Sequence, residues 1–60
     1  MNDYMQAQID NIKVIVKTFE QNCRMAALKN DGTIDRDEDR QLKKISAACA
    51  GFIKDLDKIR

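Results

Sequence analysis

The chain reverses direction within residues 30–38, which read NDGTIDRDE. Gly32 marks the end of a helix, because glycine readily adopts the left-handed backbone that follows many helices. Asp35 and Glu38 have the spacing of a capping box, in which each side chain binds the other's backbone N–H at a helix start. The segment predicts a first helix at about 3–30, a turn at 31–34 and a second helix at about 35–59.

Apolar residues recur at alternating steps of three and four on both sides of this turn. Such spacing places them along one strip of each helix. The predicted strips are Met5, Ile9, Ile12, Val16, Phe19, Cys23 and Ala26 before the turn, and Glu38, Leu42, Ile45, Cys49, Phe52, Leu56 and Ile59 after it. Folding back at the turn pairs them in seven layers. We therefore expect an all-α fold, in which residues 1–60 form a single antiparallel two-helix hairpin.

A hairpin of this length buries a small fraction of its surface. Chains of 60 residues often need staples or partners to become stable. We expect two copies to assemble into a four-helix bundle as a homodimer.

The charges of the chain nearly balance, with 11 basic and 10 acidic residues and a net charge of +1. No overall field favours nucleic acid or an anionic membrane, so neither partner is expected. The chain has no histidine, and Ser46 is its one serine, so we expect neither catalysis nor a cofactor. No apolar run is long enough for a signal peptide or a spanning helix, which favours a cytoplasmic location.

The two cysteines fall in different layers of the predicted hairpin. Cys23 lies level with residue 42 and Cys49 with residue 16, which separates them by roughly 10–12 Å along the helices. That distance exceeds the reach of a disulfide within one chain. Two thiols without histidine do not make a zinc site either. We expect free thiols, and a disulfide between two copies stays open.

The side of helix 1 away from the predicted strip carries further apolar residues at helical spacing. Exposed patches of this kind mark interaction surfaces. We interpret the chain as a small protein-interaction module (an adaptor, co-chaperone or regulatory subunit) that binds itself or another helical protein. Its candidate contact residues are Val14, Ile15, Met25 and Leu28.

The back of helix 2 is basic around the small residues Ala47 and Gly51. In size and shape, the expected bundle resembles the Rop-type RNA-binding hairpin dimers and the small helical co-chaperones of type III secretion systems. The first resemblance implies an alternative function, in which the basic side binds RNA or another anion. The residues that would carry it are Arg40, Lys44, Lys54 and Lys58.

Residues 31–38 resemble the second half of an EF-hand loop, with Gly32, Ile34 and Glu38 at the family's glycine, apolar and bidentate-glutamate positions. The resemblance implies calcium ligands at Asp31, Asp35 and Glu38, and a calcium-responsive hairpin as a third function. Ala27 and Lys29 stand where the family has two earlier ligands. A glycine turn followed by a capped helix accounts for the same residues.

Overall fold

The computed structural model describes residues 2–59, apart from the side chain of Asn30. It contains two helices, α1 (Asp3–Asp31) and α2 (Arg36–Asp57). Lys13 in the first half of α1 contacts Asp57 at the end of α2, so the helices run antiparallel. The backbone spans 46 × 17 × 7 Å, which describes a flat layer two helices wide. The predicted all-α hairpin is confirmed.

The first helix begins where a side chain can satisfy its free backbone N–H groups. Asn2 is the N-cap, and its Oδ1 accepts a hydrogen bond from the backbone N–H of Met5 at 2.8 Å. Asp3 adds a negative charge to the first turn and Lys29 a positive charge to the last. Both charges oppose the helix dipole.

The turn ends α1 through Gly32, whose φ of 79° lies in the left-handed region. Its N–H donates to the carbonyl of Leu28 at 2.7 Å, which closes the final turn of the helix. The side chain of Asp31 then accepts hydrogen bonds from the backbone N–H and the hydroxyl of Thr33. These contacts stabilise the four-residue connection, 32–35, in which the chain reverses direction.

The second helix starts with the predicted capping box. Asp35 Oδ1 accepts from the N–H of Glu38 at 2.8 Å, and Glu38 Oε1 accepts from the N–H of Asp35 at 3.2 Å. Regular α-helix ends at Asp57 rather than at about 59. Lys58 and Ile59 instead donate to carbonyls three residues earlier, a tighter turn that is common at helix ends.

The contact between α1 and α2 is narrow. Leu42, at 7 % exposure, is the one buried residue that the structure describes. Most of the other predicted strip residues are half-buried, including Ile12, Val16, Ile45 and Leu56. Lys13, Glu20, Ala27 and Ile53 are half-buried as well, although the apolar spacing did not place them in the strip.

Five residues of the predicted strips are exposed in the hairpin: Met5, Phe19, Ala26, Phe52 and Ile59. For these positions the prediction that they are covered by the contact between the two helices is wrong. The physical reason is that a single neighbouring helix covers only part of an apolar strip, and the hairpin contact lies to one side of the strip's centre.

The two glycines should respond oppositely to replacement by alanine. Gly32→Ala forces an L side chain into the left-handed region and should cost about 1 kcal/mol. Gly51→Ala adds a methyl group that meets nothing within 4 Å and should stabilise the helix by about 1 kcal/mol. Urea unfolding followed by circular dichroism measures both changes. A Gly32→Ala midpoint equal to that of the parent would show that the turn does not need its left-handed residue.

Candidate interaction surfaces

One face of the flat hairpin is charged. The ammonium group of Lys13 pairs with the Asp57 carboxylate, and Ser46 Oγ donates to Glu20 Oε2 at 3.5 Å. Both contacts cross between the helices, so they fix which flank of α1 lies beside which flank of α2. Successive turns extend this charged face along both helices. It comprises Asp10, Lys13, Lys17, Glu20 and Arg24 of α1, with Asp39, Lys43, Ser46 and Asp57 of α2.

The opposite face carries the apolar residues that the hairpin leaves uncovered. Phe19 is 51 % exposed and Phe52 is 47 % exposed. The helical period places both on the flanks that turn away from the Lys13–Asp57 pair. We call this surface the apolar face; Asp37, Lys44 and Asp55 border it at the outer edge of α2. It comprises Met5, Gln8, Ile15, Phe19 and Ala26 of α1, with Gln41, Ala48, Phe52 and Ile59 of α2.

The outer surface of α1 contains three of the four predicted contact residues. Val14 is 63 % exposed, Met25 is 67 % exposed and Leu28 is also exposed. The fourth, Ile15, is exposed but lies on the apolar face, one turn from Phe19. The predicted contact residues are therefore divided between two surfaces.

Tyr4 is 86 % exposed, near the open end of the hairpin.

The outer surface of α2 is basic, as the sequence indicates. Arg40, Lys44, Lys54 and Lys58 are all exposed. Lys58 lies 4.0 Å from the Asp55 carboxylate, while the first three have no ion-pair partner within the described part of the chain. This surface therefore presents these three cations to solvent.

The three carboxylates of the EF-hand-like segment are already engaged in local hydrogen bonds. Asp31 accepts from Thr33, and Asp35 and Glu38 accept from each other's backbone. Among the described residues, no three histidine, cysteine or acidic side chains lie close enough together to hold a metal ion. The geometry of this segment is that of a turn and a helix cap.

The two cysteines are free and half-buried between the helices. Desolvation in this contact is the main cause that raises the pKa of Cys49 above its ordinary value of 9.0. The Glu20 carboxylate raises it further by its charge and by a hydrogen bond with the thiol, and Cys23 adds a smaller effect. Cys49 is therefore held as a neutral thiol beside Glu20.

Sequence reasoning missed Phe19 and Phe52 as surface residues because it assigned both to the contact between the helices. Their spacing fits that assignment, since each lies three residues from one member of the strip and four from the next. The charged residues offered the missing signal. Lys13 and Glu20 both lie on one flank of α1. The opposite flank carries no charged residue, and Phe19 lies on that flank.

Comparison with known proteins adds no relative. The chain matches no family model, no curated protein and no solved structure. Within residues 2–59, neither helix has an apolar stretch long enough to cross a membrane.

The raised pKa of Cys49 should make stability fall at alkaline pH. The unfolded chain loses the thiol proton near pH 9, while the folded chain keeps it to a higher pH, so unfolding becomes more favourable as pH rises through this range. Thermal melts from pH 7 to pH 10 should show a smaller fall in Cys49→Ala than in the parent.

Cys23→Ala is the matched control, because it leaves Cys49 beside Glu20, and it should keep most of the dependence. Equal slopes in all three proteins would contradict the effect of Glu20 and burial on Cys49.

Proposed function

We propose that the chain is a non-enzymatic protein-interaction module (an adaptor, co-chaperone or regulatory subunit) whose working unit is a homodimeric four-helix bundle. Two hairpins pack by their apolar faces. The observation that carries the proposal is the exposure of Phe19 and Phe52 on one face of a hairpin whose other face is charged. The lack of histidine and of any serine besides Ser46 supports a non-catalytic role.

The accessible surface area of the hairpin supports a partner as large as a second hairpin. The hairpin exposes 4949 Å², whereas a compact monomer of 6.9 kDa exposes about 4,000 Å². The excess of roughly 900 Å² is close to the ~800 Å² that each partner loses in an interface of standard size. A second hairpin would therefore bring the exposed surface per chain to an ordinary value.

The five predicted strip residues that are exposed in a single hairpin support packing of two hairpins through their apolar faces. In a four-helix bundle each helix packs against two neighbours, so its buried strip centres between them. For α1 that centre lies between the α2 contact and the apolar face. Both predicted strips then become core, including Met5, Phe19, Ala26, Phe52 and Ile59. The sequence pattern fits a bundle better than it fits one hairpin.

Neighbouring alanines of α2 provide a matched test of the bundle. Ala48 lies on the apolar face and Ala47 on the outer surface, and both are exposed in a single hairpin. Ala48→Asp should bury a charge in the dimer and destabilise it by more than about 2 kcal/mol. Ala47→Asp should cost less than about 1 kcal/mol, from helix propensity alone. Thermal melts and sedimentation equilibrium measure both.

Melting temperatures measured at several protein concentrations distinguish a dimer from a hairpin that is stable as a single chain. The parent melting temperature should rise with protein concentration, because dimerisation is linked to folding. A parent that sediments as a single chain, or equal behaviour of Ala47→Asp and Ala48→Asp, would contradict the bundle.

RNA binding by the outer surface of α2 is a second candidate. The observation that favours it is the set of three cations, Arg40, Lys44 and Lys54, that form no ion pair within the described residues. In the proposed bundle this surface faces away from the core and stays open to solvent. Cations spaced along one helix suit the phosphates of a nucleic-acid backbone.

Gel retardation of a structured RNA tests this candidate. Lys44→Glu and Lys54→Glu should each weaken binding severalfold and reduce its salt dependence. Lys17→Glu, on the charged face of α1, makes the same change of charge and should have little effect. If the parent fails to retard RNA at low ionic strength, the α2 surface is not an RNA site.

A further inference from the structure

The two helices differ in length, and the difference lies at the open end of the hairpin. Helix α1 has 29 residues and α2 has 22. Because the turn joins their other ends, roughly the first two turns of α1 extend about 10 Å past the end of α2. Two large side chains lie on this extension: Tyr4 is 86 % exposed and Met5 is 55 % exposed. The second helix ends before it reaches their level.

Two hairpins that pack by their apolar faces can be related by a two-fold axis in two ways. With the axis along the helices, both turns lie at one end and each α1 faces the other copy's α2. Both copies of α2 then end short of Tyr4 and Met5, so these side chains stay uncovered. With the axis across the helices, the turns lie at opposite ends, and the two α1 helices face each other along their whole length.

The second orientation gives the extension of α1 a partner. An axis level with residue 17, the midpoint of α1, places the extension beside the last turns of the other α1. Met5 then packs near Ala26 of the second copy, which belongs to its apolar face. Tyr4 lies nearly level with Lys29, an exposed cation that forms no ion pair with any described residue. An ammonium group over a tyrosine ring is a favourable contact, and the two-fold axis makes it twice.

The middle of the apolar face fits the same axis. Contacts between the two helices of one hairpin place residue 17 of α1 level with about residue 51 of α2. About this axis, Ile15 lies opposite Phe19 of the second copy, and Ala48 lies opposite Phe52. Each pair occurs twice because the contact is symmetric. The two exposed aromatic rings are therefore covered on both copies.

The charges at the edge of α2 are also complementary about this axis. Lys44 and Asp55 border the apolar face, and the axis brings Lys44 within one turn of Asp55 of the second copy. Lys44 forms no ion pair with any described residue of its own chain, and Asp55 has a long contact of 4.0 Å with Lys58. In the other orientation Lys44 and Asp55 would face uncharged side chains of α1, and Asp37 would approach Lys29 instead.

We propose that the axis of the dimer runs across the helices, so that α1 packs antiparallel on α1, α2 packs antiparallel on α2, and the turns lie at opposite ends. The extension of α1, with Tyr4 and Met5, then docks beside the turn of the second copy. This inference rests on the proposed function for the existence of the dimer, and it adds the residues that orient it. Lys44 is then engaged within the dimer, while Arg40 and Lys54 stay open to solvent.

A distance between the two turns tests the orientation. A nitroxide label at Thr33→Cys, in a chain that also carries Cys23→Ala and Cys49→Ala, places one label on each turn. Double electron–electron resonance should give a separation of about 45 Å, since the hairpin is 46 Å long. Turns at the same end would give less than about 25 Å. Sedimentation equilibrium of the labelled protein shows whether it is dimeric.

The outcomes separate the orientation from the dimer itself. A dimeric mass with the short distance would overturn the orientation and leave the bundle in place. A single-chain mass of the unlabelled parent would overturn both. If the cysteine replacements alone abolish the dimer, the charge exchange below decides the orientation with both native cysteines present.

Charge exchange at the edge of α2 is the second test. Asp55→Lys brings two cations together twice and should weaken the dimer severalfold at low ionic strength. Adding Lys44→Glu restores unlike charges and should recover the parent dissociation constant. Asp37→Lys is the matched control, because it makes the same charge change on the same edge and has no partner in this register. A dimer weakened by Asp37→Lys but not by Asp55→Lys, or a double variant without recovery, would contradict the proposed axis.

Discussion

The contact between α1 and α2 covers one strip of each helix, with Leu42 as its most enclosed residue. Two helices packed side by side bury only the strip of each helix that faces the other. The consequence is a layer whose two faces and two outer surfaces all stay open. The four surfaces differ in chemistry: one face carries the ion pairs of Lys13 and Lys43, the outer surface of α2 is basic, and the other two surfaces carry exposed apolar residues.

Local chemistry made the turn and the helix starts predictable. Gly32, Asp35 and Glu38 act through neighbours within four residues, so their roles can be read from spacing alone. The helical period also identified Leu42, Ile45 and Leu56 correctly. It failed at positions such as Phe19, because the period defines a strip but does not say how much of the strip one neighbour covers. That depends on the number of helices in the assembly.

The surfaces were harder to predict than the helices. A helical wheel shows that Val14 and Met25 share a side of α1, but it does not show which flank of α1 faces which flank of α2. The contact of Lys13 with Asp57 supplies that information, and it separates Ile15 from the outer surface. The effect of Glu20 on Cys49 was missed for the same reason, since the two residues are far apart in sequence and meet across the helices.

The exposure of Tyr4 makes the intrinsic tyrosine fluorescence of this protein a probe of assembly. The chain has one tyrosine and no tryptophan, and Tyr4 is 86 % exposed near the open end of the hairpin. Its ring should therefore emit like free tyrosine in a single copy. Burial of the ring against another chain would change its environment, so fluorescence at natural sequence would report on assembly at this end without an added label.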